Sequence, residues 1–341
     1  YPCITGTSET MKLNLSQLSA RASSCIALDG NDLVVDLGSN DGTLLSYFKE
    51  LGFRTLGVEP AANIAQLASE NGIETIQHFF TDETCSKIIA SYGQAKIVTG
   101  TNVFAHVDDV NGFINCVKRL LHPQGMLIIE VPYLTDMLDK LEFDTIYHEH
   151  LSYFSLSALN ILFNNHGMSI VNVERLAVHG GSIRVYISPI SEQRCHYLEE
   201  LLDQETNIGI PHKGMYKKFA TDVNALKSDL KAMLNGLKHE GNKIAGYGAP
   251  AKGNILLNYC GLDSTVLDCI FDNTPFKQNL FTPGTHIPVV SDTTFEKINP
   301  DYCLLLAWNY EEEILKKEKA YLQNGGNFII PIPHPKIVSI S

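Results

Sequence analysis

The densest group of titratable side chains in the chain is Tyr147, His148, Glu149 and His150, inside E-F-D-T-I-Y-H-E-H-L-S-Y-F. A histidine near its unperturbed pKa takes up and returns protons at neutral pH, and a carboxylate beside it can orient the ring or hold it charged. Such a base suits removal of an acidic proton from a carbon next to a carbonyl. Tyr147, His148 and His106, the last in T-N-V-F-A-H-V-D-D, are then candidate donors to the enolate oxygen. Other readings remain open. Two histidines two apart can form part of a zinc shell, although no other cysteine or histidine pair has the spacing to complete one, so no metal is expected. The group also fits a polar turn without chemistry, and His106 fits a helix start.

A second constellation is V-V-D-L-G-S-N-D-G, where an apolar run ends in Asp36 and a turn carries Gly38, Asn40 and Gly42. Glycine lets the backbone approach a ligand at a strand-to-helix turn, and Asp36 can accept hydrogen bonds from an ammonium group. Glu59 closes the next apolar run in G-V-E-P, where a carboxylate can accept from both hydroxyls of a ribose. Asn102, after K-I-V-T-G, completes the candidate set. The turn fits a cationic cofactor bearing an amino acid better than a pyrophosphate, which would call for G-x-G-x-x-G. Tight-turn glycines with a capping aspartate are the plain alternative.

Two further loops could meet the substrate. H-G-G-S-I-R offers His179, Ser182 and Arg184 to a phosphate, although two glycines are also what a hairpin turn requires. K-I-A-G-Y-G-A-P-A-K-G-N places Gly246, Gly248 and Ala251 at dinucleotide-fingerprint spacing, with Asp272 closing the next apolar run. Pro250 and Lys252 inside that loop fit a substrate phosphate better than a full dinucleotide, and Asn254 follows on the same stretch. A ligand-free relic of the motif is an equal alternative.

The elements that must hold these residues are legible in the pattern. Short apolar runs alternate with amphipathic stretches, which predicts parallel strands joined by helices: D-L-V-V-D-L, R-T-L-G-V-E, I-E-T-I, K-I-V-T-G, G-M-L-I-I-E-V, M-S-I-V-N-V and S-I-R-V-Y-I. The segment between the last two is too short for a crossover helix, so they form an antiparallel hairpin. This is an α/β protein with the layout of a class I methyltransferase, a Rossmann-like seven-stranded sheet, followed by a second, smaller Rossmann-like α/β domain. The expected boundaries are a lead-in over 1–30, the cofactor domain over 31–190, a helical connector over 191–240 and the second domain over 241–341.

With 341 residues, 44% hydrophobic and 19% charged, the chain can build two cores. A formal net charge of -12 without a basic stripe argues against nucleic acid as a partner. No apolar run is long enough to span a bilayer, and the eight cysteines lack zinc or disulfide spacing, so a cytoplasmic monomer with reduced thiols is expected.

The ordered set D-L-G-S-N-D-G, G-V-E-P, N-V-F-A-H-V-D-D, I-Y-H-E-H-L-S-Y-F-S-L, H-G-G-S-I-R-V-Y, G-Y-G-A-P-A-K-G-N and F-D-N-T-P-F-K-Q-N spans nearly the whole chain. It resembles the sugar C-methyltransferases that act on nucleotide-linked keto-deoxysugars. The resemblance implies S-adenosyl-L-methionine as cofactor, a nucleotide sugar (dTDP-linked) as substrate, and a second domain that helps hold the substrate without a dinucleotide of its own. It makes His150 the leading base, with Tyr147, Glu149 and His106 around the sugar, and matches Tyr1 to an active-site tyrosine. Members of that family usually open with a small cysteine-ligated zinc domain, which this chain lacks. Two competing functions stand beside this one: a nicotinamide oxidoreductase using the second glycine-rich loop, and a sugar-nucleotide binding protein without catalysis.

Overall fold

All seven apolar runs of the first region are strands of one sheet. In the computed structural model, which describes residues 4–190 and 194–340, these are β1 (Leu33–Leu37), β2 (Arg54–Val58), β3 (Thr75–Ile76), β4 (Ala95–Thr101), β5 (Leu121–Pro132), β6 (Ser169–Leu176) and β7 (Ser182–Ser188). Their order is β3-β2-β1-β4-β5-β7-β6. Strands β1 to β5 pair in parallel, whereas β7 runs antiparallel to both β5 and β6, as the short link between the last two runs demands.

Every residue of β1 is buried, because helices cover both faces of the sheet. Alternation sends Val34 to a core with α1 (Glu9–Cys25), α2 (Thr43–Glu50) and α3 (Ala62–Glu70), and Val35 to the opposite one. That second core is built on α4 (Asp82–Tyr92), α5 (Val110–Leu120) and, after a short α6 (Leu134–Asp139) that follows β5 and lies outside this core, α7 (Leu156–Asn165). Helix α5 shows why these segments are helical: Phe113, Ile114, Val117 and Leu120 recur at three- and four-residue spacing on one face, and Asp109 caps the start by accepting from Gly112 N at 2.9 Å.

The second region follows α8 (His196–Ile208) and α9 (Lys213–His239). Strands β8 (Ile244–Tyr247), β9 (Ile270–Asp272), β10 (Val289–Ser291), β11 (Tyr302–Leu305), β12 (Asn327–Ile330) and β13 (Lys336–Val338) form a second sheet in the order β10-β9-β8-β11-β12-β13. Only β13 is antiparallel to its neighbour. Helix α10 (Ala251–Cys260) leads out of β8.

The chain divides into two compact units, one of Tyr1–Thr135 with Leu151–Ile210 and the other of Asp136–His150 with Pro211–Ser341. These limits differ from the sequence boundaries: the lead-in over 1–30 joins the first unit, the connector over 191–240 is divided between the two, and 136–150 falls in the second. Helix α8, expected as connector, belongs to the first unit because its fully buried Glu205 caps α7, accepting from Leu156 N at 2.6 Å and Ser157 N at 2.8 Å. Residues 136–150 belong to the second unit because Leu141 and Phe143 are buried in its core. Among the described residues the seven cysteines are free, and no helix is long and apolar enough to cross a membrane.

Candidate active site

At the end of β1 the Asp36 carboxylate is buried, with Oδ1 accepting from Thr99 Oγ1 of β4 at 2.6 Å. Burial, reinforced by the charges of Glu59 and Glu130, pushes its pKa up to about 7. A carboxylate held this way favours a cation.

The turn after β1 leaves room for one. Gly38 has φ +69 and donates its N–H to Val58 O at 2.8 Å; a Cβ there would meet Val103 Cγ2 at 2.4 Å. Gly42 starts α2 at φ +79, against Ile73. Both are positions that side chains rarely adopt. Asn40, also left-handed at φ 50, donates its N–H to Glu59 Oε2 at 3.1 Å, while Glu59 Oε1 accepts from Ala61 N at 2.9 Å. Asn102 has φ 55 and donates its N–H to Glu130 O at 2.9 Å. Asp36, Gly38, Asn40, Gly42, Glu59 and Asn102 thus come from the ends of adjacent strands, and the buried, acid-lined turn fits a ligand with an ammonium group and a ribose.

One part of this turn was not foreseen. Asn40 Oδ1 accepts from Thr5 N at 3.0 Å and Asp41 Oδ2 from Gly6 N at 2.9 Å, so the lead-in turn Thr5–Thr7 is fastened to the cofactor loop. A backbone-to-side-chain contact across so much sequence leaves no local signal.

Of the phosphate donors expected at the hairpin, Arg184 and Ser182 are engaged within the protein. Arg184 is buried, with its guanidinium 2.6 Å from Glu130 Oε1, 3.0 Å from Glu174 Oε2 and 3.0 Å from Asn14 Oδ1. Asn14 Nδ2 in turn donates to Glu130 Oε2 at 2.9 Å, so Arg184 ties α1 to the sheet. Ser182 is also buried and donates to Val178 O at 3.1 Å, closing the hairpin that Gly180 and Gly181 form at φ +97 and +153. The side chain of His179 and all of Tyr1 lie outside the described residues.

His106 ends the turn Phe104–His106 beyond β4, and its side chain is exposed. Phe104 anchors that turn, buried with ring centroids 4.9 Å from Phe154 and 5.7 Å from Phe113. The carbonyl of Ala105 accepts from Leu151 N at 2.9 Å, which fixes the residue that directly follows His150.

In the second unit His150 Nδ1 lies 2.8 Å from Thr145 O. A carbonyl has no proton to give, so Nδ1 carries the hydrogen and, in the neutral ring, Nε2 is the basic nitrogen. The Tyr147 ring packs on the imidazole with centroids 4.3 Å apart. His148 and Glu149 are exposed. The four residues therefore separate into a Tyr147–His150 pair and two solvent-facing neighbours.

The second glycine-rich loop keeps the backbone shape of the dinucleotide fingerprint. Gly248 is left-handed at φ +81, as that fingerprint requires, and Asp272 accepts from Ala249 N at 2.7 Å and from Thr274 N at 2.8 Å. Each oxygen of Asp272 thus accepts one backbone N–H, as each oxygen of Glu59 does. The Lys252 ammonium lies 4.0 Å from the centroid of the Trp308 ring, within the fields of Asp144 and Glu142. Asn254 Oδ1 accepts from Asn258 Nδ2 at 3.3 Å along α10.

A seven-stranded sheet of this order with an acid-lined turn after β1 defines a class I, S-adenosylmethionine-dependent methyltransferase. A methyltransferase-domain model matches residues 8–173, and a C-methyltransferase C-terminal domain model matches residues 177–333. The chain is 42% identical over 316 residues to C-methyltransferase NovU of Streptomyces niveus, covering 92% of this chain and 75% of that protein. It belongs to the C-methyltransferase family and takes its methyl group from S-adenosyl-L-methionine. It is also 28% identical over 97 residues to the ubiquinone biosynthesis O-methyltransferase of Bartonella tribocorum, covering 28% of this chain and 39% of that one. Magnesium protoporphyrin IX methyltransferase from Synechocystis PCC 6803 with bound SAM aligns at TM-score 0.38 and 13% identity, over 52% of this chain and 79% of that one.

Proposed function

We propose that this enzyme methylates a carbon adjacent to the ketone of a nucleotide-linked, dTDP-type deoxy-keto sugar, through an enolate generated by His150. The observation that carries the reading is the bond from His150 Nδ1–H to Thr145 O, which makes Nε2 the basic atom of a ring already oriented by Tyr147. Nε2 takes the proton from the carbon beside the ketone, and the electron pair moves onto the carbonyl oxygen. Tyr147, His148 or His106 donates a hydrogen bond to that oxygen. When bound, S-adenosylmethionine supplies an electrophilic methyl group on sulfur. Asp36 holds the ammonium and Glu59 the ribose hydroxyls, which orients the donor for in-line attack by the carbon. The enzyme works on this small molecule as a cytoplasmic monomer.

The test separates proton removal from methyl transfer. In deuterated buffer, with S-adenosylhomocysteine present to block transfer, the native enzyme is expected to exchange the proton next to the ketone of a dTDP-linked 4-keto-6-deoxy sugar. His150→Gln should lose that exchange and still bind S-adenosylhomocysteine. Exchange at the native rate in His150→Gln would overturn the assignment.

A further inference from the structure

The second unit carries a strand, glycine turn and helix of dinucleotide type, and the proposed reaction gives that motif no ligand. What it holds is the segment leading to His150. Leu141 and Phe143 are buried in the core of this unit, with the Phe143 ring centroid 4.9 Å from that of Tyr259 on α10. Between and beside them Glu142 and Asp144 are both buried. Trp308 Nε1 donates to Asp144 Oδ2 at 2.7 Å, and the same indole carries Lys252 on its face.

No hydrogen bond or ion pair joins Lys252 to either carboxylate among the described residues, so the ammonium acts on them through its field, which is strong where water is excluded. Burial pushes Glu142 up to about 7, raises Asp144 as well and lowers Lys252 to about 8, while the opposite charges of the lysine and the two acids act against these shifts. The turn Phe143–Thr145 is thus pinned by two apolar side chains and by an Asp144 that is hydrogen-bonded to Trp308 and lies within the field of Lys252. Its last residue, Thr145, gives its N–H and hydroxyl to Glu142 O at 3.2 and 2.7 Å, and its own carbonyl accepts from His150 Nδ1.

We infer that Asp144, Trp308 and Lys252 are positioning residues that fix the Thr145 carbonyl and through it the tautomer and orientation of His150. The helix that follows the fingerprint loop, with Trp308, thereby serves to hold the segment that carries His150. This rests on His150 being the base, and the experiment below distinguishes the two claims.

NMR of the full chain with 15N-labelled histidine, above the histidine pKa, reads the tautomer directly, and His150→Gln identifies the resonance. The native protein is expected to show Nδ1–H at His150. Asp144→Ala and Trp308→Phe should shift it toward a mixture with Nε2–H. In both variants the kcat for deuterium exchange should fall by about tenfold to hundredfold, as misplacement of a reacting group does, with KM for the keto sugar within about twofold and S-adenosylhomocysteine affinity unchanged. Asp144→Asn keeps an oxygen for Trp308 and should recover much of the rate. Trp308→Phe keeps a ring beneath Lys252 and carries the test if Asp144→Ala does not fold. An unchanged tautomer in these variants, or a raised KM at constant kcat, would overturn the inference, the latter by making the cluster a substrate contact. Exchange surviving in His150→Gln while the tautomer responds as stated would instead remove His150 as the base.

Discussion

In the proposed site Asp36 is the residue that would select the cofactor's charge. In the free enzyme its carboxyl titrates near about 7 because burial opposes the anion. An ammonium placed against it favours the anion and lowers that pKa, so the ligand binds best when the carboxyl is already ionised. Calorimetry should therefore find S-adenosylhomocysteine affinity falling as pH drops below about 7, and Asp36→Asn should flatten this dependence and weaken binding by about 1.5–3 kcal/mol at pH 8, the size of a hydrogen bond to a charged group. The same shift has a stability consequence of opposite sign. A carboxyl whose folded pKa is raised from 3.8 to about 7 costs stability in full above about 7, and the cost disappears as pH falls toward 3.8. Without ligand, Asp36→Asn should accordingly melt higher than the native protein at pH 8, and that gain should vanish near pH 4. Arg184 is the counter-case, a charge whose role is internal. Arg184→Ala would leave Glu130 buried without its cation and should cost about 3–5 kcal/mol in urea unfolding, whereas a phosphate-binding arginine would leave stability nearly unchanged.

At the scale of elements, the strand ends and the turns after them decide what can bind. Gly38→Ala puts a methyl group into Val103 at a φ of +69, so S-adenosylhomocysteine binding should become undetectable; Val103→Ala in the same chain removes the clash but not the backbone strain and should restore binding only in part. Binding by Gly38→Ala at native affinity would show that the turn does not approach the ligand. These strands were readable in the sequence because burial on both faces leaves continuous apolar runs, as in L-V-V-D-L. The hairpin was readable from the shortness of the link before β7. The role of Arg184 was not, because an arginine after two glycines looks like an anion donor until β5 brings Glu130 beside it from 54 positions away. Likewise Asp144 and Trp308, 164 positions apart, are joined only by the fold.

At the scale of the whole molecule, the sequence separated two α/β regions but could not show that residues 136–150 belong with the second, since the apolar side chains that settle it, Leu141 and Phe143, carry no mark of which core they enter. The composition of the second loop suggested a dinucleotide, whereas the C-methyltransferase family to which the chain belongs uses S-adenosyl-L-methionine. Titration with millimolar NAD should therefore give no heat under conditions where S-adenosylhomocysteine does. The Tyr147–His150 pair was legible because its residues are neighbours in sequence; its proton arrangement emerged only with Thr145 O in place. The measurement that tests the central claim most directly is the position of the transferred methyl. With S-adenosylmethionine labelled with 13C in the methyl group and a dTDP-linked 4-keto-6-deoxy sugar, the account predicts a product whose labelled methyl is bonded to the carbon next to the ketone, with one proton lost from that carbon and no product from His150→Gln. A label on oxygen, or undiminished product from His150→Gln, would contradict it.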